Sequence, residues 1–185
     1  FGIVETRLDR LGSSFSVFKV AEVWPYLAMA DAAIGDRAHA EALVAKMPLD
    51  CMWCAISRGR VDELEGKFGD ASYSFANAEK QAPSIPFPDL YWGAMLLHKG
   101  DYDGAIAKFE IAHTKGPYFA DPLEMEGEAL IAKNRSDLAL AKFEEANKYA
   151  PNWKRLHQKW GEALIYAGRR DDAAKQFALA RGLNG

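Results

Sequence analysis

One interval, 34 residues, recurs along this chain and restricts what it can fold into more than any local motif does. Pro83, Pro117 and Pro151 are spaced by it. So are Ala78, Ala112, Ala146 and Ala180, then Phe75, Phe109, Phe143 and Phe177, and Ala71, Ala105, Ala139 and Ala173. Upstream, the interval links Gly59, Gly93, Gly127 and Gly161, and a further register runs through Gly66, Gly100, Asn134 and Gly168. A fixed period with no insertion marks stacked supersecondary units, each unable to bury its apolar face without a neighbour.

Each register has a physical reason. Mid-helix glycine costs about 1 kcal/mol against alanine, so Gly59, Gly93, Gly127 and Gly161 imply a second helix approaching closely. Ala71, Ala105, Ala139 and Ala173 are the expected points of approach, with the four phenylalanines filling the seam between successive helix pairs. Gly66, Gly100, Asn134 and Gly168 are expected in the turn inside each pair, because glycine, and next to it asparagine, takes the left-handed conformation that stops a helix. The prolines end each second helix, lacking a backbone donor and forcing the preceding residue out of the helical region. Between these markers the apolar spacing is helical: Leu123, Gly127, Leu130 and Ile131 form one stripe, and Leu138, Ala139, Phe143 and Ala146 form the next with Lys142 facing out. No sustained period-two alternation occurs, and no Asn-Gly or Asp-Gly dipeptide joins two alternating runs as a hairpin would require. The pattern predicts helix pairs at 52–65 with 68–81, 87–99 with 102–115, 120–133 with 136–149, and 154–167 with 170–182.

These residues resemble the tetratricopeptide repeat (TPR) family, whose 34-residue unit carries a small residue in its first helix and Ala, an aromatic, Ala and Pro through the second. Gly93, Ala105, Phe109, Ala112 and Pro117 match in full, as do Gly127, Ala139, Phe143, Ala146 and Pro151. Gly161, Ala173, Phe177 and Ala180 match until the chain stops before the proline. The unit at 52–85 keeps its glycine, alanines, phenylalanine and proline but has Asp62 where a large residue is usual, which makes it degenerate or locally irregular in its first helix. Residues 20–51 resemble the family weakly: Trp24 to Ile34, a Gly35-Asp36 turn, and Arg37 to Met47 before Pro48 read as a shortened, degenerate helix pair acting as a cap. Residues 1–19 carry no pattern and read as linker, partner arm or extra helix. The full units fall at 52–85, 86–119, 120–153 and 154–185. The expected fold is all-α, a right-handed α-α superhelix of about five antiparallel helix pairs.

Composition narrows the function classes. A net charge of −3 removes the footprint of a nucleic-acid or polybasic membrane binder. Every apolar run is broken by a charge before it could cross a bilayer. The chain begins at Phe1 rather than Met, so it reads as a fragment or a processed chain, with any targeting signal outside it. Two cysteines cannot make a disulfide framework, and a reducing cytoplasm is the default expectation.

Covalent chemistry has one candidate motif, Cys51-Met52-Trp53-Cys54. Such a pair at a helix N-terminus can cycle to a disulfide, but no strand precedes it as a thioredoxin-like site requires, and zinc would need two more ligands. Small, buried structural thiols are the favoured reading. His39, His98, His113 and His157 lie on separate helices with no i,i+4 partner, and no phosphate loop follows a strand. Thus no enzyme, no metal and no cofactor are expected. Most of the five Trp, seven Tyr and ten Phe fall at repeat-core registers and read as packing.

The resemblance implies a concave surface, lined by the first helix of each pair, that binds a peptide segment or partner helix. Position within the unit places Ile56, Arg60, Leu90, Ala94, Leu97, His98, Met125, Glu128, Arg155, Lys159 and Glu162 on that face. It should run from apolar near Leu90 and Leu97 to charged near Arg155 and Lys159, which suits a segment with an apolar anchor and an acidic end. The family's clamp for a C-terminal carboxylate is matched by Arg155 and Lys159 but not by Leu90, Ala94 or Met125. Charge is uneven: 120–153 has seven acids and four bases, whereas 154–185 has three acids and seven bases. Either the groove is bipolar, or Glu124 and Glu128 pair with Arg155 and Lys159 on the next first helix, the reading slightly favoured. The last helix, with Phe177, Leu179 and Ala180, retains registers that elsewhere pack on a following helix, so self-association through it is expected. The implied function is a non-catalytic protein-interaction scaffold with protein or peptide partners, and no nucleic acid or membrane. The alternative is a ligand- or partner-gated regulatory domain of a multidomain signalling or transcription-regulating protein, since the chain is also similar to TPR regions that follow winged-helix or cyclase domains in bacteria.

Overall fold

Ten helices and no strand make up the residues described, 23–183, in the computed structural model. The segment 1–19 discussed above lies outside them. The chain divides into two compact units, Phe1–Pro83 and Ser84–Gly185. In the first, α1 (Trp24–Ile34) packs on α2 (Arg37–Lys46), and α3 (Met52–Leu64) packs on α4 (Phe68–Gln81). Helix α3 also touches both α1 and α2, so the second pair stacks on the first.

In the second unit the pairs are α5 (Phe87–Lys99) with α6 (Tyr102–Lys115), α7 (Ala120–Ala132) with α8 (Ser136–Tyr149), and α9 (Lys154–Tyr166) with α10 (Arg170–Gly182). Helix α6 packs on α7 and α8 on α9, while the first helices α5, α7 and α9 touch in succession. The spans expected from the 34-residue period agree with these to within one residue.

The turn register explains that agreement. Gly66, Gly100 and Gly168 have φ of 76°, 85° and 75°, and Asn134 has 58°. At Gly100 the chain stops one helix and starts the next within two residues: Gly100 N donates to Leu97 O at 3.0 Å and Asp101 N to Leu96 O at 2.9 Å. The Asp101 carboxylate then accepts from Gly104 N at 3.1 Å, capping α6. Gly100→Ala should therefore cost about 1 kcal/mol. Gly69→Ala, inside α4 with no atom within 4 Å of the added Cβ, should gain a few tenths. Urea melts of the two variants should shift in opposite directions.

The group nearest each mid-helix glycine is a phenylalanine ring and not the alanine expected from sequence. A Cβ on Gly59, Gly93, Gly127 or Gly161 would lie 2.7, 2.6, 2.7 or 2.5 Å from the ring of Phe75, Phe109, Phe143 or Phe177. Each ring occupies the notch left by the missing Cβ of its own pair. Phe109 also clusters with Ala129, and Phe143 with Leu156 and Ala163, of the following pair, so these two rings lock the pair internally as well as filling the seam between pairs. The alanine one turn before each ring is fully buried.

Three further expectations change. Lys142 does not face out: its ammonium stands 2.9 Å from the buried carboxylate of Glu126, tying α8 to α7. Of the two readings of the unit at 52–85, local irregularity fails, since helix α3 is unbroken through Asp62, which is half-buried and whose carboxyl is pushed up mainly by burial. Cys51 and Cys54 are not two separate buried thiols: they form a disulfide, and only Cys54 is fully buried.

Candidate functional site

In the first unit, Ile56 is completely buried. It is core rather than surface. Arg60, half-exposed, pairs with the buried Glu63 one turn along.

In the second unit the successive contact of α5, α7 and α9 brings Leu90, Ala94, Leu97, His98, Met125, Glu128, Arg155, Lys159 and Glu162 onto three neighbouring helices. Leu90 and Ala94 are nearly buried, and Leu90 clusters with Phe109 and Ala129, so the next pair covers it. Leu97 and Met125 are half-buried against the same cluster, leaving His98 exposed. The expected apolar end of the face is thus largely consumed by packing between pairs.

Charge is concentrated between α7 and α9. Arg155 Nη2 lies 3.0 Å from a carboxylate oxygen of both Glu124 and Glu128. Lys159 lies 3.1 Å from Glu128 and 3.5 Å from Glu162. The inter-helix pairing favoured from sequence is therefore present. Glu124 is completely buried, and its carboxyl is pushed up to about 8, first by burial and then by the neighbouring charge of Glu128. Glu128 is held below the ordinary carboxylate range: burial raises it, but hydrogen bonds from Arg155 and Lys159 outweigh that. The pair thus favours the proton on Glu124 and the charge on Glu128. Asp121, on the same helix, is pushed up mainly by burial.

Beside this network lies a cavity of about 200 Å³ lined by Ile131, Phe143 and Tyr166 together with Glu128, Lys159 and Glu162. Tyr166 is 76% exposed. Ile131 and Tyr166 were not singled out from sequence, although they sit one turn beyond Glu128 and Glu162 and could have been reached by continuing the same helical face. At the far end of the unit a second hollow, about 550 Å³, is lined by Pro151, His157, Leu179 and Leu183, with Leu179 half-exposed.

No family profile and no curated protein matches the chain in sequence. Solved structures do. PilF from Pseudomonas aeruginosa aligns at a TM-score of 0.75 and 14% identity, over 91% of this chain and 78% of that one. A crystal structure of MamA aligns at 0.66 and 20% identity, over 83% of this chain and 92% of that one. Another, MamA from AMB-1, aligns at 0.59 and 19%, over 89% and 99%. Both are tetratricopeptide-repeat proteins. This chain has the TPR fold. Within it, α5, α7 and α9 are the first helices of three TPR-like pairs, and the Glu124–Glu128–Arg155–Lys159 network spans the last two of them.

Proposed function

We propose that the chain is a non-catalytic protein-interaction scaffold, and that the α7–α9 face of its second unit receives a peptide segment or partner helix. The observation that carries this is the cavity between Ile131 and Tyr166, an apolar recess rimmed by charge on consecutive first helices. The TPR fold supports the same reading, since a stack of helix pairs leaves the first helices as a continuous surface. Residues 20–51 then act as a shortened capping pair, and the apolar hollow beside Leu179 supports self-association through α10 as a second mode.

The preferred partner differs from the acidic-ended segment expected from sequence. Arg155 and Lys159 are already met by Glu124, Glu128 and Glu162, so they are not free to capture an acidic group. The cavity itself is lined by two carboxylates, Glu128 and Glu162, against the single cation Lys159. An apolar anchor followed by a basic residue fits this balance, because the anchor supplies affinity and the charge sets direction.

Panning a random peptide library against the full chain tests the proposal. Selected peptides should share that pattern. Tyr166→Ala should weaken them about tenfold, the loss of an aromatic anchor, without lowering thermal stability, since this side chain is largely exposed. Glu162→Lys should weaken them at low salt and less at high salt. Two folded variants with unchanged affinity would show that the surface lies elsewhere.

A further inference from the structure

The disulfide between Cys51 and Cys54 is not used by the scaffold reading. The bonded residues are three apart in sequence, a short closure that constrains the unfolded chain little. The segment it joins to α3 is also held without it. The Arg58 guanidinium donates to the carbonyls of Val44, Met47 and Pro48, and Gln81 Nε2 donates to Leu49 O at 2.7 Å. Opening the sulfur–sulfur bond therefore leaves the Met47–Cys51 segment anchored from both α3 and α4.

The two sulfurs are unequal. Cys51 is the N-cap of α3, with extended backbone (φ −124°, ψ 115°), and its Sγ accepts from Cys54 N at 3.2 Å. It is half-exposed, whereas Cys54 has no exposed surface. A thiolate on Cys51 would keep that backbone donor and face the positive end of the helix, both of which favour the charged form. A thiolate on Cys54 has neither exposure nor that cap. Trp53, between the cysteines, stands 5.8 Å from the half-exposed ring of Tyr26.

We propose that Cys51 and Cys54 form a dithiol–disulfide exchange centre, Cys51 attacking and Cys54 resolving, with low-molecular-weight disulfides or exposed protein disulfides as its co-reactants. In the forward direction the Cys51 thiolate attacks one sulfur of the external disulfide, forming a mixed disulfide and expelling one thiolate. Cys54 then loses its proton to solvent and attacks Cys51 Sγ, closing the internal bond and expelling the second thiolate. Two electrons pass from the protein to the external disulfide, which leaves as two thiols. The reverse sequence, driven by excess thiol, reopens the pair.

Equilibration of the full chain in glutathione buffers of graded ratio, followed by acid quench, alkylation and mass measurement, tests this. A single two-electron transition with an unchanged helical circular dichroism spectrum at both ends is expected. Cys54→Ala should trap glutathione on Cys51, and Cys51→Ser, which keeps an oxygen cap, should react at Cys54 at least about tenfold more slowly. Equal reactivity of the two variants would overturn the proposal. So would a bond that yields to thiol only after urea unfolds the chain, the behaviour of a purely structural disulfide, or a pair that never closes in any of the buffers.

Discussion

Gly127→Leu should lower stability by about 3 kcal/mol, and by more if Phe143 has no room to turn. The first added atom already meets the ring: a Cβ at Gly127 lies 2.7 Å from Phe143 Cζ, and the ring itself is 1% exposed. Leucine brings three more carbons into the same space. Its higher helix propensity returns only about 1 kcal/mol, so overpacking wins. A plain loss of stability would not by itself identify the ring as the obstacle. Phe143→Ala alone should cost about 3–5 kcal/mol through the cavity it leaves. The double variant should cost much less than the sum, because leucine then fills that cavity from the opposite helix. Urea denaturation of the four proteins measures the coupling, and strict additivity would show that Gly127 and Phe143 do not share this space.

That contact also shows where the sequence was sufficient and where it was not. Turn residues act through their own backbone, so the register of Gly66, Gly100, Asn134 and Gly168 carried helix boundaries without knowledge of any neighbour. The prolines did the same: Ala82, Gly116 and Ala150, each just before one, end their helices at φ near −140°, −135° and −134°. The partner of each mid-helix glycine depended on how far one helix is shifted along its axis against the other. Ala139 and Phe143 share one face of α8, so a slide of about one turn exchanges them as the group in the notch, and the 34-residue period is the same for both. Periodicity therefore revealed that something fits there and left its identity open.

The candidate surface was harder for a related reason. Counting along a unit says which way a side chain projects from its own helix, but not whether the adjoining pair covers it. Ile56 is completely buried, and Leu90 is buried in a cluster with Ala129 of the next pair. Glu124 was legible as a pairing partner of Arg155 because charges alternate between consecutive first helices. Its complete burial was not, since that requires the stacked geometry.

Burial gives Glu124 a pH dependence with a definite sign. Its folded carboxyl titrates near 8 against an ordinary 4.5, so the folded protein holds this proton over a range in which the unfolded chain has released it. The stability it confers is complete below 4.5 and is lost as pH rises toward 8, at up to about 1.4 kcal/mol per pH unit. Glu128 runs the other way: its lowered carboxyl contributes stability above its unfolded value, lost only in acid. The two effects occupy different windows, so the neutral range reports Glu124. The charges facing it are Glu128 on α7 and Arg155 and Lys159 on α9, and the cations titrate far above this range. Glu124→Gln keeps the shape and removes the proton equilibrium. Stability measured by urea at pH 6, 7, 8 and 9 should fall for the native chain and fall less for the variant, their difference growing up to about pH 8 and then levelling only slowly. At pH 9 the variant should be the more stable protein, since a buried carboxylate is replaced by a neutral amide able to donate to Glu128. A difference that is flat with pH would mean that Glu124 is ionised throughout and that Arg155, 3.0 Å away, fully offsets its burial.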